Sequence, residues 1–157
     1  MTFMYHDELY APADQLGALK QQGAQLPSWD LTPRQICDLE LILNRGFYPL
    51  TGFLGQADYD SVLQDMRLCD GSLWPMPITL DVSASFAENL AIGTQLALRD
   101  QEGVILGLMT ISDKWVPDKA REAEQVFGAN DLAHPGVAYL HHQAGDVYLG
   151  GQITGLQ

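Results

Sequence analysis

The segment over residues 44–77 constrains the fold of this chain more than any other stretch, because glycines, prolines and aromatic residues alternate in it at short intervals. Its first part reads Asn-Arg-Gly-Phe-Tyr-Pro-Leu-Thr-Gly-Phe-Leu over residues 44–54. Glycine and proline interrupt regular secondary structure, so this part predicts an ordered loop between two helices, with its bulky side chains packed into the core. A phosphate-binding loop of the Walker type would carry a lysine, and this stretch has none.

The second part of the segment reads Met-Arg-Leu-Cys-Asp-Gly-Ser-Leu-Trp-Pro-Met-Pro over residues 66–77. The Asp-Gly pair at residues 70–71 favours a sharp turn. Pro75 and Pro77 have no backbone N–H, so the chain is predicted to enter a strand whose first positions cannot donate hydrogen bonds. Trp74 is predicted to be a core residue rather than a platform on which a ligand stacks.

Helix signals lie on both sides of this segment. Thr32 can cap a helix with its hydroxyl, Pro33 suits the first helical position, and Gln35 stands three residues after the cap, which completes a capping box. This arrangement predicts a helix over residues 33–44, ended by the Arg-Gly pair that follows. Apolar spacing and capping residues predict three more helices, over residues 14–22, 56–66 and, after Asp118, 119–127.

Short runs that suit strands follow residue 77. They predict strands over residues 78–82, 95–99 and 104–111, a hairpin turn over residues 100–103, and a final strand pair over residues 137–140 and 147–153. Helices and strands are mixed without the regular rhythm of a doubly wound sheet. The prediction is therefore an α+β fold, built on a small β-barrel or a bent mixed sheet that is decorated with helices.

The charge balance argues against one class of partner. The 157 residues include 8 basic and 20 acidic side chains, a formal net charge of −12, and the basic residues form no stripe. Such a field repels phosphate backbones, so nucleic acid is not expected as a partner. The same charge disfavours a role in collecting sulfate or ATP, because anions are held by positive charge or by helix N-termini.

The two cysteines and the distribution of apolar residues indicate the cellular compartment of the protein. Cys37 and Cys69 are far apart in the sequence, which favours free thiols in a reducing compartment over a disulfide. The first ten residues show no basic region that leads into an apolar run, and no window reaches the roughly 18 apolar residues of a membrane span. A cytoplasmic location, away from membranes, is expected.

Histidines and serines supply no assignable catalytic or metal site. The histidines stand at positions 6, 134, 141 and 142, which is not the spacing of a helical metal-binding pair. His141 and His142 would face opposite sides of an extended segment. A Gly-x-Ser-x-Gly motif is absent from the sequence. We therefore assign no residue to catalysis, cofactor binding or metal binding.

The remaining charged residues have ordinary explanations. Two pairs of acids stand two residues apart on predicted helices, which sends the members of each pair to different faces. Solvated helix surface is expected for these acids, Asp58 with Asp60 and Glu122 with Glu124. Arg45 and Arg67 are the candidates for contacts at a domain junction, and local pairing or solvation is the more common state of such arginines.

Several segments form a set whose order is specific: Gly46-Phe47, Pro49-Leu50, Gly52-Phe53, Asp70-Gly71, Trp74-Pro75, Pro117-Asp118-Lys119, His134-Pro135-Gly136-Val137 and Gly150-Gly151. In this order they resemble the N-terminal domain of ATP sulfurylase, also called sulfate adenylyltransferase. The resemblance covers residues 26–157 and leaves residues 1–25 as an N-terminal arm with a short helix. The catalytic segments of that family, with Gln-x-Arg-Asn, His-x-x-His and Gly-Arg-Asp, do not occur in this sequence.

The resemblance implies a PUA-like domain that is not expected to bind RNA. In the family this domain precedes the catalytic domain and takes part in its packing and in oligomer assembly, and some relatives add an adenylylsulfate kinase domain. ATP, sulfate and Mg²⁺ would be bound by the catalytic domain, since no catalytic residue has a counterpart here. This chain alone is therefore expected to be inactive and to hold no cofactor.

Two other functions remain open on the sequence. One is a free-standing PUA-like binding or assembly module whose complex carries out no adenylyl transfer. The other is a nucleic-acid-binding barrel, which the net charge of −12 makes the weakest of the three. Release of pyrophosphate from ATP and sulfate by the isolated chain would contradict its expected catalytic incompleteness, and recovery of a separately encoded catalytic partner in a pull-down would count against the free-standing module.

Overall fold

The computed structural model describes residues 9–156, so residues 1–8 of the predicted arm, with His6, and Gln157 lie outside the described part. The helices of the described part are Leu16–Gly23 (α1), Pro33–Leu43 (α2), Gln56–Asp65 (α3), Ala84–Ala87 (α4), Lys119–Phe127 (α5) and Pro135–His142 (α6). Its strands are Ser28–Asp30 (β1), Gly52–Phe53 (β2), Leu80–Val82 (β3), Gln95–Arg99 (β4), Ile105–Trp115 (β5) and Val147–Gly155 (β6).

Hydrogen bonds join the strands in the order β1-β4-β5-β6-β2, and β3 also pairs with β6. β1 is parallel to β4, whereas the β4–β5, β2–β6 and β3–β6 pairs are antiparallel. The register sets Leu96 opposite Met109 and Leu80 opposite Leu149. In residues 9–156 the path ends at β1 and β2, so the sheet is open. The predicted α+β fold is confirmed, with a mixed sheet rather than a closed barrel.

The turn between β4 and β5 is formed by the two residues that predict it, Asp100 and Gly103. Asp100 Oδ1 accepts the backbone N–H groups of Glu102 and Val104, each at 2.9 Å. Gly103 has φ of 91°, a conformation that only glycine adopts without steric cost. The hairpin turn is therefore confirmed, and β5 continues four residues past the predicted end at residue 111, to Trp115.

The capping box of α2 is present as predicted. The N–H of Gln35 donates to Thr32 Oγ1 at 3.2 Å, and the N–H of Thr32 donates back to Gln35 Oε1 at 3.0 Å. Gln35 Oε1 also accepts the indole N–H of Trp29 at 3.0 Å, which ties β1 to the helix start. The helix ends at its cap Asn44, and Arg45 then takes a left-handed φ of 68°.

By its contacts the chain divides into two compact units, the first being Met1–Phe53, Gly93–Ile111 and Gly151–Gln157, and the second Leu54–Ile92 and Ser112–Gly150. In the first unit α1 covers one face of the sheet, because its apolar residues pack on a buried cluster there. The buried members are Ala97, Leu108 and Leu156, and the residues packed against them are Ala11, Leu16, Leu19, Leu26 and Ile105.

The second unit contains α5, which matches its prediction at both ends. The Asp118 side chain accepts the N–H of Arg121 at 3.1 Å, and Gly128 ends the helix with φ of 71°. On the outer surface Arg121 forms an ion pair with Asp60 of α3 at 2.9 Å. Both side chains are exposed, so this pair adds little to the free energy of unfolding.

The strand predicted over residues 137–140 is wrong, because helix α6 occupies that stretch. His134 Nδ1 accepts a backbone N–H two residues further on, at 3.0 Å, and Pro135 takes the first helical position. Val137 and Leu140 are three residues apart, so they share one face of the helix and are both buried there. The four-residue run is thus apolar at helical rather than strand spacing.

The glycine pair Gly150-Gly151 of β6 permits a close approach of neighbouring backbone. A Cβ atom on Gly150 would lie 2.5 Å from the Leu54 carbonyl oxygen, and one on Gly151 would lie 2.0 Å from the Thr110 carbonyl oxygen. No side chain fits at such distances. The two glycines are therefore required by the packing of the strands rather than by a turn.

Candidate interaction surface

An exposed apolar surface lies on the turn that follows α3. Met66 is 49 % exposed, Leu73 63 % and Met76 49 %. We call residues 66–76 the apolar turn. Single exposed apolar residues are common on protein surfaces, whereas three large ones within eleven residues of chain are a candidate for contact with another molecule or domain. The apolar turn is therefore the candidate functional surface of the described residues.

The apolar turn is ordered by its own backbone. Arg67 and Leu73 form an antiparallel bridge, and the N–H of Trp74 donates to the Met66 carbonyl oxygen at 2.8 Å. Gly71 has φ of 92°, which confirms the sharp turn predicted at residues 70–71. Met66 and Leu73 thus lie in a defined hairpin-like structure, and Met76 follows it two residues after Trp74.

Two side chains of α3 form hydrogen bonds with the backbone of the apolar turn. Ser61 Oγ donates to the Arg67 carbonyl oxygen at 2.6 Å, and Asp58 Oδ1 accepts the backbone N–H of Cys69 at 2.8 Å. Hydrogen bonding to Asp58 also raises the pKa of the exposed Cys69 thiol. Each contact fixes the backbone of the turn relative to α3, a helix of the same unit.

The chemistry around the apolar side chains is acidic. Asp70 Oδ1 accepts the N–H of Ser72 at 2.8 Å, and this bond lowers the pKa of the Asp70 carboxyl. Asp65, at the end of α3, is exposed as well. A partner surface that combines apolar side chains with positive charge would complement this arrangement.

The two arginines proposed as junction contacts each reach a carbonyl of their own loop. Arg67 donates to the Gly71 carbonyl oxygen at 3.0 Å, within the apolar turn. Arg45 donates to the Leu50 carbonyl oxygen at 2.9 Å, and its guanidinium carbon lies 5.0 Å from the centre of the Tyr48 ring. Both have local partners, and contact with a further domain remains a prediction.

The loop over residues 44–54 packs only part of its bulky residues into the core. Phe53 is buried, with 3 % exposure, and Leu50 is buried too, as predicted. Tyr48 is 49 % exposed, so the prediction is wrong for this residue. Its ring instead lies under the Arg45 guanidinium. Trp74 of the apolar turn is half-buried.

A polar cluster is buried in the same unit as the apolar turn. Glu122 Oε1 accepts the phenol hydroxyl of Tyr59 at 2.5 Å and that of Tyr148 at 2.8 Å. The ring of Trp115 lies 5.5 Å from that of Tyr59 and 5.8 Å from that of Tyr148, measured between centroids. Burial, followed by the charge of Glu122, raises the pKa of the Tyr59 hydroxyl far above its ordinary value.

The position of Glu122 corrects the prediction of a solvated pair with Glu124. Glu122 is 8 % exposed, whereas Glu124 is exposed. The two residues do lie on different faces of α5, as their spacing predicts, but the face of Glu122 is the inner one. A buried carboxylate with two phenol donors joins α3, α5 and β6, so its role is to hold the second unit together.

Two of the histidines in residues 9–156 have structural roles at α6. His134 caps α6, and His141, which lies on α6 rather than in an extended segment, places Nε2 2.6 Å from Asn130 Oδ1. Within residues 9–156 no three His, Cys, Asp or Glu side chains are grouped as metal ligands would be. Over the same residues, no helix combines the length and the apolar character that crossing a bilayer requires.

Comparison with known proteins identifies the family to which this chain is similar. A profile described as PUA-like domain matches residues 6–157. Sulfate adenylyltransferase from Eremothecium gossypii is 48 % identical over 145 residues, covering 92 % of this chain and 29 % of that protein. The enzyme of the same name from Schizosaccharomyces pombe is 50 % identical over 137 residues, covering 86 % of this chain and 28 % of that protein.

A solved structure shows the same fold. It is described as a hexameric APS kinase from Thiobacillus denitrificans, with a TM-score of 0.71 and 32 % sequence identity. The match covers 95 % of this chain and 25 % of that one. In each of these three matches, 86 % to 95 % of this chain corresponds to less than a third of a longer protein.

Proposed function

Because this chain belongs to the PUA-like domain family and matches a domain-sized part of sulfate adenylyltransferases, we propose that it is the non-catalytic N-terminal domain of such an enzyme. Its role would be to support the packing and assembly of the catalytic domain, and so to serve sulfate assimilation. The observation that carries this proposal is the apolar turn, whose three large apolar side chains remain 49 % to 63 % exposed among the described residues.

The proposed reaction belongs to the rest of the enzyme. A sulfate oxygen would attack the α-phosphorus of ATP, pyrophosphate would leave, and Mg²⁺ would neutralise the phosphate charge. Positioning of the two anions needs a site of positive charge. This chain carries a formal charge of −12, and Arg45 and Arg67 already bind carbonyls, which supports a division of labour between two domains.

We also propose that the full-length protein is a homo-oligomer. The solved relative is described as hexameric, and the present chain resembles that protein over 95 % of its own length. The acidic surface supports a protein partner with basic residues and opposes nucleic acid. The cytoplasmic location remains a prediction.

The role of the apolar turn is tested by grafting this domain in place of the matching segment of the Schizosaccharomyces pombe enzyme. Leu73→Ser and Met76→Ser together remove two exposed apolar side chains from the turn. Ile92→Ser is the matched control, because Ile92 is exposed to a similar extent, 59 %, but lies outside the turn. Oligomer size by light scattering and pyrophosphate release are measured for each protein.

We expect the double variant to dissociate or to lose activity while its thermal unfolding temperature stays near that of the unsubstituted graft. The control should behave like that graft. If the double variant assembles and releases pyrophosphate normally, the apolar turn is not a packing surface. A graft without activity, whatever its turn, would instead favour the alternative of a free-standing module without adenylyl transfer.

A further inference from the structure

We propose that a pocket beside α4 binds a small monocarboxylate with an apolar body. This pocket, here named the α4 pocket, has a volume of about 580 Å³ and lies entirely within the second unit. It is formed by α4, the end of β5 and the start of β6. The proposal is independent of the adenylyltransferase assignment, since no residue of the apolar turn contributes to the pocket.

The volume and the lining residues of the α4 pocket indicate the size and polarity of its ligand. Its volume falls within the roughly 300–1,000 Å³ typical of small-molecule sites. Ala84, Ala87, Val116 and Val147 supply apolar walls, and Trp115 adds an aromatic one. Val116 is 74 % exposed, so its apolar side chain is largely in water. An apolar ligand group bound against it would remove that surface from water, which is favourable. A hydrocarbon or aromatic body fits these walls.

Lys114 sets the charge of the ligand. Its ammonium donates to the Ala87 carbonyl oxygen at 3.0 Å and to the Leu90 carbonyl oxygen at 2.7 Å. These two bonds hold the cation at the pocket wall and use two of its three N–H donors. A carboxylate is the acceptor that gains most from the third donor, because the hydrogen bond is then charged on both sides.

Glu88 restricts the ligand to a single negative charge. Its exposed carboxylate also lines the α4 pocket, immediately after α4. A second anionic group on the ligand would be repelled by Glu88, whereas an uncharged body would not. Dianions such as sulfate or a phosphate ester are therefore disfavoured, whereas a monocarboxylate can pair its one charge with Lys114 and leave only its uncharged apolar body near Glu88.

The test uses the 157-residue chain and 3-phenylpropionate as the probe. The ¹⁵N-labelled protein is titrated up to about 10 mM, a range that detects weak small-molecule binding. We expect saturable shifts of the Trp115 indole N–H and of the amides of Ala87 and Val116. The uncharged analogue 3-phenylpropan-1-ol should bind more weakly, and the dicarboxylate phenylsuccinate should bind more weakly as well.

Two substitutions make the assignment specific. Lys114→Met keeps the apolar stem and should raise the dissociation constant of 3-phenylpropionate by roughly five- to tenfold, the range for a half-exposed charged hydrogen bond. Glu88→Gln, at an exposed position, should leave the fold unchanged and strengthen binding of phenylsuccinate relative to 3-phenylpropionate. Absence of saturable shifts, equal binding of acid and alcohol, or no response of the selectivity to Glu88→Gln would overturn the proposal.

Discussion

Removing the phenol hydroxyls around Glu122 tests whether this buried cluster holds the second unit together. Tyr59→Phe and Tyr148→Phe each delete one donor to Glu122 Oε1 without changing the ring that packs on Trp115. A hydrogen bond to a charged group contributes about 1.5–3 kcal/mol to the free energy of unfolding. Glu122 is only 8 % exposed, so water weakens its hydrogen bonds little. Each single variant should therefore lose about 1.5–3 kcal/mol in its free energy of unfolding.

The double variant should lose more than the sum of the two single variants. After the first substitution the remaining phenol still donates to the buried carboxylate, and the second substitution removes that donor as well. Neighbouring groups of one network typically couple by about 0.5–3 kcal/mol. Urea unfolding, followed by circular dichroism, gives the free energies from the midpoint and slope of each transition.

Tyr48→Phe is the matched control for this series, because the Tyr48 side chain is 49 % exposed. It should change the free energy of unfolding by no more than about 0.5 kcal/mol, as surface substitutions do. If Tyr59→Phe and Tyr148→Phe change it as little as Tyr48→Phe does, the cluster does not stabilise the unit. Exact additivity of the two would refute the shared role of Glu122.

Three further substitutions have outcomes that follow from single contacts. Because burial raises the pKa of Tyr59, the folded protein keeps this proton while the unfolded chain loses it above about pH 10. Stability should therefore fall with pH above about 10, and Tyr59→Phe should reduce that slope by up to about 1.4 kcal/mol per pH unit in urea unfolding. Gly136→Ala would place a Cβ 2.6 Å from the Phe127 ring and should cost about 1–3 kcal/mol in thermal unfolding, with Phe127→Leu restoring part of the loss. Asp58→Asn replaces the carboxylate whose hydrogen bond, and then whose charge, raises the pKa of the Cys69 thiol, so iodoacetamide should alkylate Cys69 faster at pH 8 in a Cys37→Ser background. An unchanged alkylation rate would contradict the assigned cause.

The elements that the sequence predicts best are those with their signals close together along the chain. The capping box of α2 needs only Thr32 and Gln35, and the limits of α5 need only Asp118 and Gly128. Such short-range hydrogen bonds do not depend on the tertiary structure, so they can be predicted without knowledge of the fold. The hairpin turn at residues 100–103 is predictable for the same reason.

Elements that depend on distant residues were harder to predict. β1, β2 and α4 have only two to four residues each, so no periodicity marks them, and β1 exists because β4 pairs with it. Within residues 137–140 the apolar run predicts a strand, although His134 and Pro135 form the start of helix α6. The helix start is a local signal, whereas the four-residue apolar run that follows it is too short to distinguish a helix from a strand.

The candidate surface and the buried cluster could be predicted only in part. The sharp turn at residues 70–71 is evident from Asp70 and Gly71, but nothing local shows that Leu73 points to solvent. Glu122 stands on a polar helix with no sign that two tyrosines, 63 and 26 residues away, converge on it. Burial of a charged residue is a property of the tertiary fold, and sequence spacing alone does not reveal it.

We propose that this chain supports an adenylyl-transferring enzyme without performing the reaction. The most direct measurement is pyrophosphate release by the purified 157-residue chain from ATP in the presence of sulfate and Mg²⁺, with a cooperative unfolding transition as proof of folding. We predict no release above background from the folded chain. Release of pyrophosphate that depends on sulfate and on the chain's concentration would contradict the claim.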